Sequence, residues 1–112
     1  MSFDLAFYAD ANGDMPVVDF LFTLSEKERA KSLVYMDLLS ERGNALPAQY
    51  IKHIDGDLWE LRPEFGGVEM WYFYFIWVGE LIVFVHALKK KSRKTRPRDL
   101  ELAQKRINEL KT

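Results

Sequence analysis

The chain has no cysteine among its 112 residues. That excludes disulfides and thiolate metal sites, suits a reducing compartment and leads us to expect a cytoplasmic protein. Histidine is scarce too: His53 and His86 are the only two, distant in sequence, so no metal site is expected and no cofactor is implied. The longest apolar run, Met70 to Val78, reaches about half of a membrane span. MSFDLAFYADAN lacks the basic and apolar blocks of a signal peptide, so no membrane association is expected. There is no phosphate-binding glycine loop, since Gly66-Gly67 alone reads as a turn. Neither Ser25 nor Ser92 carries a nucleophile motif around it.

What is present is apolar and aromatic. Hydrophobic residues make up 48% and aromatics 14%, a composition that builds a core and argues against disorder. The length predicts one domain over residues 1–112. The net charge of −1 hides an asymmetry, because the basic residues gather after Leu88. From Lys89 to Arg98 seven of ten residues are Lys or Arg. No core absorbs so many unpaired charges, so they belong on the surface where a strand ends. Such a cluster is a natural place to hold a polyanion. The bland alternative is a solvated basic helix end.

Along the chain, Ser2–Tyr8 reads as a strand and ADANGD as a turn. Pro16 suits a helix start capped by Asp14. Ser25 with Glu28 forms a capping box opening a second helix, which Gly43 ends. Ala30, Leu33, Val34 and Leu38 are expected to line its buried face. This helical hairpin reads as scaffold without chemistry. Leu58–Pro63, Val68–Val78 and Leu81–Leu88 read as three antiparallel strands, the last two joined through Gly79-Glu80. Arg98–Leu110 reads as a helix with Leu100, Ala103, Ile107 and Leu110 as its stripe. The order β-α-α-β-β-β-α predicts an α+β fold, an antiparallel twisted sheet with helices packed on one face.

Alternation places Glu60 and Arg62 on one strand face and Trp59 and Leu61 on the other. With Trp59 and Leu61 under the helices, Glu60 and Arg62 point to the open face. Arg62 is then either half of a cross-strand ion pair or a phosphate clamp, because its planar fork binds oxyanions bidentately. His86 shares a face with Ile82 and Phe84 and reads as a half-buried histidine or as a base near neutral pH. His53 falls in a loop without partners. On the aromatic strand, Met70, Tyr72, Tyr74 and Ile76 oppose Trp71, Phe73, Phe75 and Trp77. Core is the expected role for most, with base stacking as the alternative.

LWELRPEFGG, LIVFVHALKKKSRKT and DLELAQKR together resemble the phage-derived HigB-like branch of the RelE/ParE toxin superfamily. Members typically read L-W-E-L-R, Gly-Gly, a strand with Y-R-x-x-Y, a strand ending L-H-G-F-x-K-K, and a helix with E-I-x-x-A-x-x-R. The resemblance spans roughly residues 50 to 108, and the helical hairpin before it also fits. It implies a RelE-like fold and the toxin of a type II toxin–antitoxin pair, a ribosome-dependent, metal-independent mRNA endonuclease. It also implies two partners, mRNA on the ribosome and a cognate antitoxin of the helix-turn-helix DNA-binding kind. Residue by residue, His86 takes the family's His position, Lys90-Lys91 its Lys pair, and Ala103 and Arg106 its terminal helix. The catalytic candidates are Arg62, His86, Lys90, Lys91 and Lys94. The RNA-binding candidates are Glu60, Trp71, Lys89, Arg93, Arg96 and Arg98. Three departures stand out. Trp71 occupies the place of the central-strand Arg that normally binds the scissile phosphate, Pro97 falls one residue late, and the pI is about 6.1 where the family is usually basic. Alternative expectations are a gyrase-poisoning ParE-like inhibitor and a degenerate member that only binds RNA or antitoxin.

Overall fold

A computed structural model describes residues 2–90 and 97–112. The elements run β1 (Asp4–Phe7), α1 (Pro16–Thr23), α2 (Glu26–Arg42), a 3-10 turn at Gly43–Ala45, β2 (Ile51–Asp55), β3 (Leu58–Leu61), β4 (Glu64–Phe65), β5 (Val68–Trp77), β6 (Leu81–Lys89) and α3 (Pro97–Lys111). The strands form a mixed sheet in the order β1-β6-β5-β3-β2, with β4 pairing with β5 off this path. The α+β, RelE-like class expected from the sequence is therefore found, with two corrections to its layout. β1 joins β6 in parallel, with Asp4 opposite Leu81 and Phe7 opposite Phe84, so the sheet is not wholly antiparallel. The helices are not all on one face either. α1 and α2 cover one side through Val17, Leu21, Met36 and Leu39, while α3 covers part of the other through Ala103 and Ile107.

This two-sided cover explains the aromatic density of β5. The strand lies between β6 and β3, so both of its faces must be apolar. Met70, Tyr72 and Tyr74 face the α1–α2 layer, and Trp71, Phe73 and Phe75 face the α3 layer. The two buried tyrosines keep their hydroxyls satisfied, as burial requires. Tyr72 donates to Ser32 Oγ at 2.7 Å, and Tyr74 donates to Asn44 Oδ1 at 2.7 Å. Loss of solvent drives both phenol pKa values well above the ordinary range.

The hairpin forms largely as its sequence signals dictate. Ser25 accepts from the Glu28 backbone N–H and Glu28 reaches back to the Ser25 N–H, a complete capping box. Gly43 closes α2 at φ 55°, and a Cβ there would sit 2.5 Å from the Phe3 ring, so a larger residue would strain the backbone and have to displace that ring. Two details differ from expectation. The residue capping α1 is Met15, not Asp14, and it makes no side-chain cap. α2 buries Glu28, Ser32, Met36 and Leu39, leaving Ala30, Leu33 and Val34 exposed and Leu38 half-buried. The capping box and the Ser32–Tyr72 bond fix the rotation of the helix, and that rotation turns Leu33 and Val34 outward.

Three connections also correct the sequence reading. Ile51–Asp55 is a strand rather than a loop, antiparallel to β3. Gly66-Gly67 is indeed a turn, but it joins β4 to β5 in a small hairpin. The β5–β6 connection is Val78–Glu80, and Val78 holds φ 53° while 86% exposed. A β-branched residue in that region costs about 1–2 kcal/mol. Val78→Gly is therefore expected to raise unfolding stability by about 1 kcal/mol in chemical denaturation. An unchanged midpoint would mean that the turn carries no such strain.

Candidate nucleic-acid interface

The half of the sheet's α3 side nearest β3 and β4 brings the sequence-predicted polar residues together. Trp71 is the floor, only 2% exposed. Two cations from separate strand ends rest against its ring: Arg62 Cζ at 5.1 Å from the centroid and Lys90 Nζ at 4.7 Å. Both backbones are tied to the sheet. The Arg62 N–H donates to Tyr50 O at 2.9 Å, and the Lys90 N–H donates to Glu69 O at 2.9 Å. The two charges are thus held by strand ends rather than by loops, which fixes their direction.

Each cation has its own carboxylate. Glu69 accepts from Trp71 Nε1–H at 3.2 Å and lies 3.5 Å from Lys90 Nζ. Glu60 Oε1 lies 2.9 Å from Arg62 Nε, an ion pair along one strand rather than across two. Contrary to the sequence expectation, Glu60 does not point to an open face: its side chain is 1% exposed. Among the described residues neither of its oxygens has an aligned hydrogen bond. Burial pushes the Glu60 carboxyl up to about 7, against the opposing pull of Arg62, Lys52 and Lys90. Trp71 is likewise covered rather than open, so its ring supports the cations and is not a bare platform for a base.

His86 is a further correction. The β5–β6 register shifts between Phe73 and Tyr74, which pair with His86 and Phe84 respectively. This bulge breaks the alternation and takes His86 off the Ile82–Phe84 face. Its ring stacks on Phe73 at 5.7 Å and 17°, and Nε2 lies 2.9 Å from Asp99 Oδ1 in the first turn of α3. Burial lowers the His86 pKa despite the pull of Asp99, with Arg106 adding to the lowering. The imidazole is therefore neutral near pH 7, and Asp99 selects the tautomer that donates from Nε2. The sequence marks Asp99 by nothing beyond its place as an acid in the first turn of that helix. The nearby Arg106 donates to Val85 O at 2.8 Å and covers the Tyr8 ring, which ties α3 to β6.

Of the remaining candidates, Lys89 lies 3.3 Å from Glu28 of the capping box. The Ser25 backbone N–H first, and Lys89 after it, hold the Glu28 carboxyl below its ordinary range. Arg98 is exposed at the start of α3. Lys91, Arg93, Lys94 and Arg96 lie outside the described residues. His53 is on β2, its ring 4.8 Å from Trp59 and its Nε2 2.8 Å from Gly56 O; it borders a separate shallow cavity that Arg62 also lines.

Both lysines of the basic stretch that can be placed are thus paired with carboxylates of the same chain. Their surroundings differ, however. Lys89 meets an acid engaged in holding a helix start, whereas Lys90 shares its indole with Arg62. A phosphate approaching the latter pair adds two charge-assisted contacts to cations that their part-buried carboxylates already hold in place.

Against known protein families, the model of the phage-derived Gp49-like proteins (DUF891) matches residues 19–108. No curated protein matches the chain.

Proposed function

Because the chain belongs to the phage-derived Gp49-like family, a RelE/toxin-like family, we propose that it is the toxin of a type II toxin–antitoxin pair that cuts mRNA on the ribosome. The observation that carries this reading is the convergence of Arg62 and Lys90 on one buried indole. Cleavage without a metal needs cations on the phosphorane as the RNA 2′-hydroxyl attacks the adjacent phosphate. Arg62 and Lys90 take that role, with Glu60 and Glu69 holding them in place. The 2′-hydroxyl loses its proton to a base, the P–O5′ bond breaks, and the leaving 5′-oxygen is protonated. His86 is the base we favour. Asp99 fixes its tautomer, as a carboxylate does for any imidazole that must accept a proton at the opposite nitrogen. Its strand partner Phe73 is two residues from Trp71 on the same face, so the next row of side chains is about 7 Å away. Lys91 and Lys94 remain our proposed proton donors, and Lys89, Arg93, Arg96 and Arg98 our proposed backbone contacts. The finer placement in the HigB-like branch, a cytoplasmic site of action and a helix-turn-helix antitoxin belong to the same proposal.

Trp71 at the family's strand Arg position, together with the pairing of both placed lysines, favours a second reading: a member that binds RNA or antitoxin without cutting. Primer extension on a translated message after induction separates the two. Discrete new 5′ ends within the coding region are expected. Growth arrest without any cut would refute the nuclease reading, and arrest with inhibited gyrase supercoiling would point to the ParE-like alternative.

A further inference from the structure

Beside the Arg62–Lys90 pair, a cavity of about 460 Å³ opens between α2 and the β4–β5 hairpin. Arg62 and Lys90 form one wall, and Lys31, Tyr35 and Gln49 belong to the other. Three cations from three separate elements therefore face one space. Lys31 differs from the other two in its company. Its Nζ lies 5.6 Å from the Tyr35 ring centroid, and it pairs with no carboxylate among the described residues. Tyr35 in turn packs against Tyr50 at 5.1 Å, so the lysine's aromatic support is fixed to the loop before β2. Glu64 and Glu69 also line the cavity. Glu69 is committed to Trp71 and Lys90, and Glu64 is exposed without an ion pair among the described residues.

We infer that this cavity is a second phosphate subsite, in which Lys31 holds the RNA backbone next to the phosphate held by Arg62 and Lys90. This rests on the RNA-cleaving reading above and adds a strand path: the single strand runs from the Trp71 floor across the β3 end onto α2. The volume suits one nucleotide of a single strand, since pockets for small ligands begin near 300 Å³. A cation without an acid partner gives up less on meeting a phosphate than one already neutralised. Gln49 supplies an amide that can donate to a phosphate or sugar oxygen. The exposed Glu64 opposes the anion and sets an upper limit on affinity at this subsite. The helical hairpin, which the sequence presents as scaffold alone, thereby contributes to substrate binding.

The test is fluorescence anisotropy at low salt with 2′-O-methylated single strands of two and eight nucleotides, which bind but cannot be cut. For wild type, binding of the eight-mer is expected to weaken steeply with salt. Lys31→Ala should weaken the eight-mer about fivefold and lower its salt slope by roughly 0.7, with the dinucleotide unaffected because it fills the Arg62–Lys90 position alone. Lys31→Arg should restore the affinity, and Glu64→Gln should strengthen it a few fold. Because Lys31 lies part-exposed on a helix, its replacement by alanine leaves the fold intact, and circular dichroism checks this. If Arg62→Ala weakens both strands while Lys31→Ala changes neither, the second subsite is refuted and the RNA reading survives. If wild type binds neither strand, both fall together.

Discussion

The double variant Arg62→Ala, Lys90→Ala should lose growth toxicity and message cleavage while remaining folded. Removing one positioned cation from a developing oxyanion commonly costs on the order of 3 kcal/mol, a factor of more than 100 in rate. Either single variant is therefore expected to lower the cleavage rate about 100-fold. The double variant should lose less than the product of the two, because both cations serve one phosphate. Folding should persist because neither side chain is part of a buried apolar cluster. Without Arg62 the sealed Glu60 takes up a proton instead of standing as a bare buried charge, since its carboxyl already titrates near 7. Single-turnover cleavage of a programmed ribosome complex, followed for wild type and the three variants, measures these losses. A double variant that cuts as fast as wild type would remove Arg62 and Lys90 from the chemistry altogether.

How much of this is legible in the sequence depends on the signal. Elements with a strong local cause were legible. The Ser25–Glu28 box starts α2, Gly43 closes it, and the alternation of β5 separates Tyr72 and Tyr74 from Trp71 and Phe73. The two-sided burial of β5 was not, because a row of aromatics looks the same whether a helix or solvent lies over it. It hid the fact that α3 crosses the face assigned to the site. The buried face of α2 departs from the sequence expectation for a related reason. Hydrophobicity pointed to Leu33 and Val34, yet the polar Ser32 faces inward because Tyr72 needs an acceptor there. His86 moved because a bulge inserts one residue between its pairing and that of Phe84, and Val83-Phe84-Val85 contains no glycine or proline to announce it. Arg62, Lys90, Trp71 and Glu60 do meet, as the L-W-E-L-R pattern and the basic stretch suggested. What the pattern did not reveal is that the acid of that motif is sealed beneath the arginine.

That sealed acid should govern how the protein responds to pH. Glu60 titrates near 7 in the folded state, against an ordinary 4.5, because desolvation outweighs the attraction of Arg62. Between those two values the folded protein keeps a proton that the unfolded chain has released. The contribution of Glu60 to stability is thus fully present below about 4.5 and is lost as pH rises through about 7. A shift of that size corresponds to roughly 3 kcal/mol of ionisation cost carried at pH 8. Glu60→Gln keeps the shape and removes the charge. It is expected to gain about 2–3 kcal/mol at pH 8, near 10 °C in Tm for a chain of this size, and almost nothing at pH 4.5. The same change takes away the anion that holds Arg62, so cleavage at pH 8 should fall even as stability rises. That combination separates a positioning carboxylate from a merely structural one. The wild-type protein should also bind single-stranded RNA more tightly as pH drops through 7, where protonation of Glu60 uncovers the Arg62 charge. Thermal unfolding of both proteins from pH 4.5 to 8 decides the matter. Parallel stability curves would show that Glu60 titrates alike in the folded and the unfolded chain, and the account of a sealed, desolvated carboxyl beneath Arg62 would have to be abandoned.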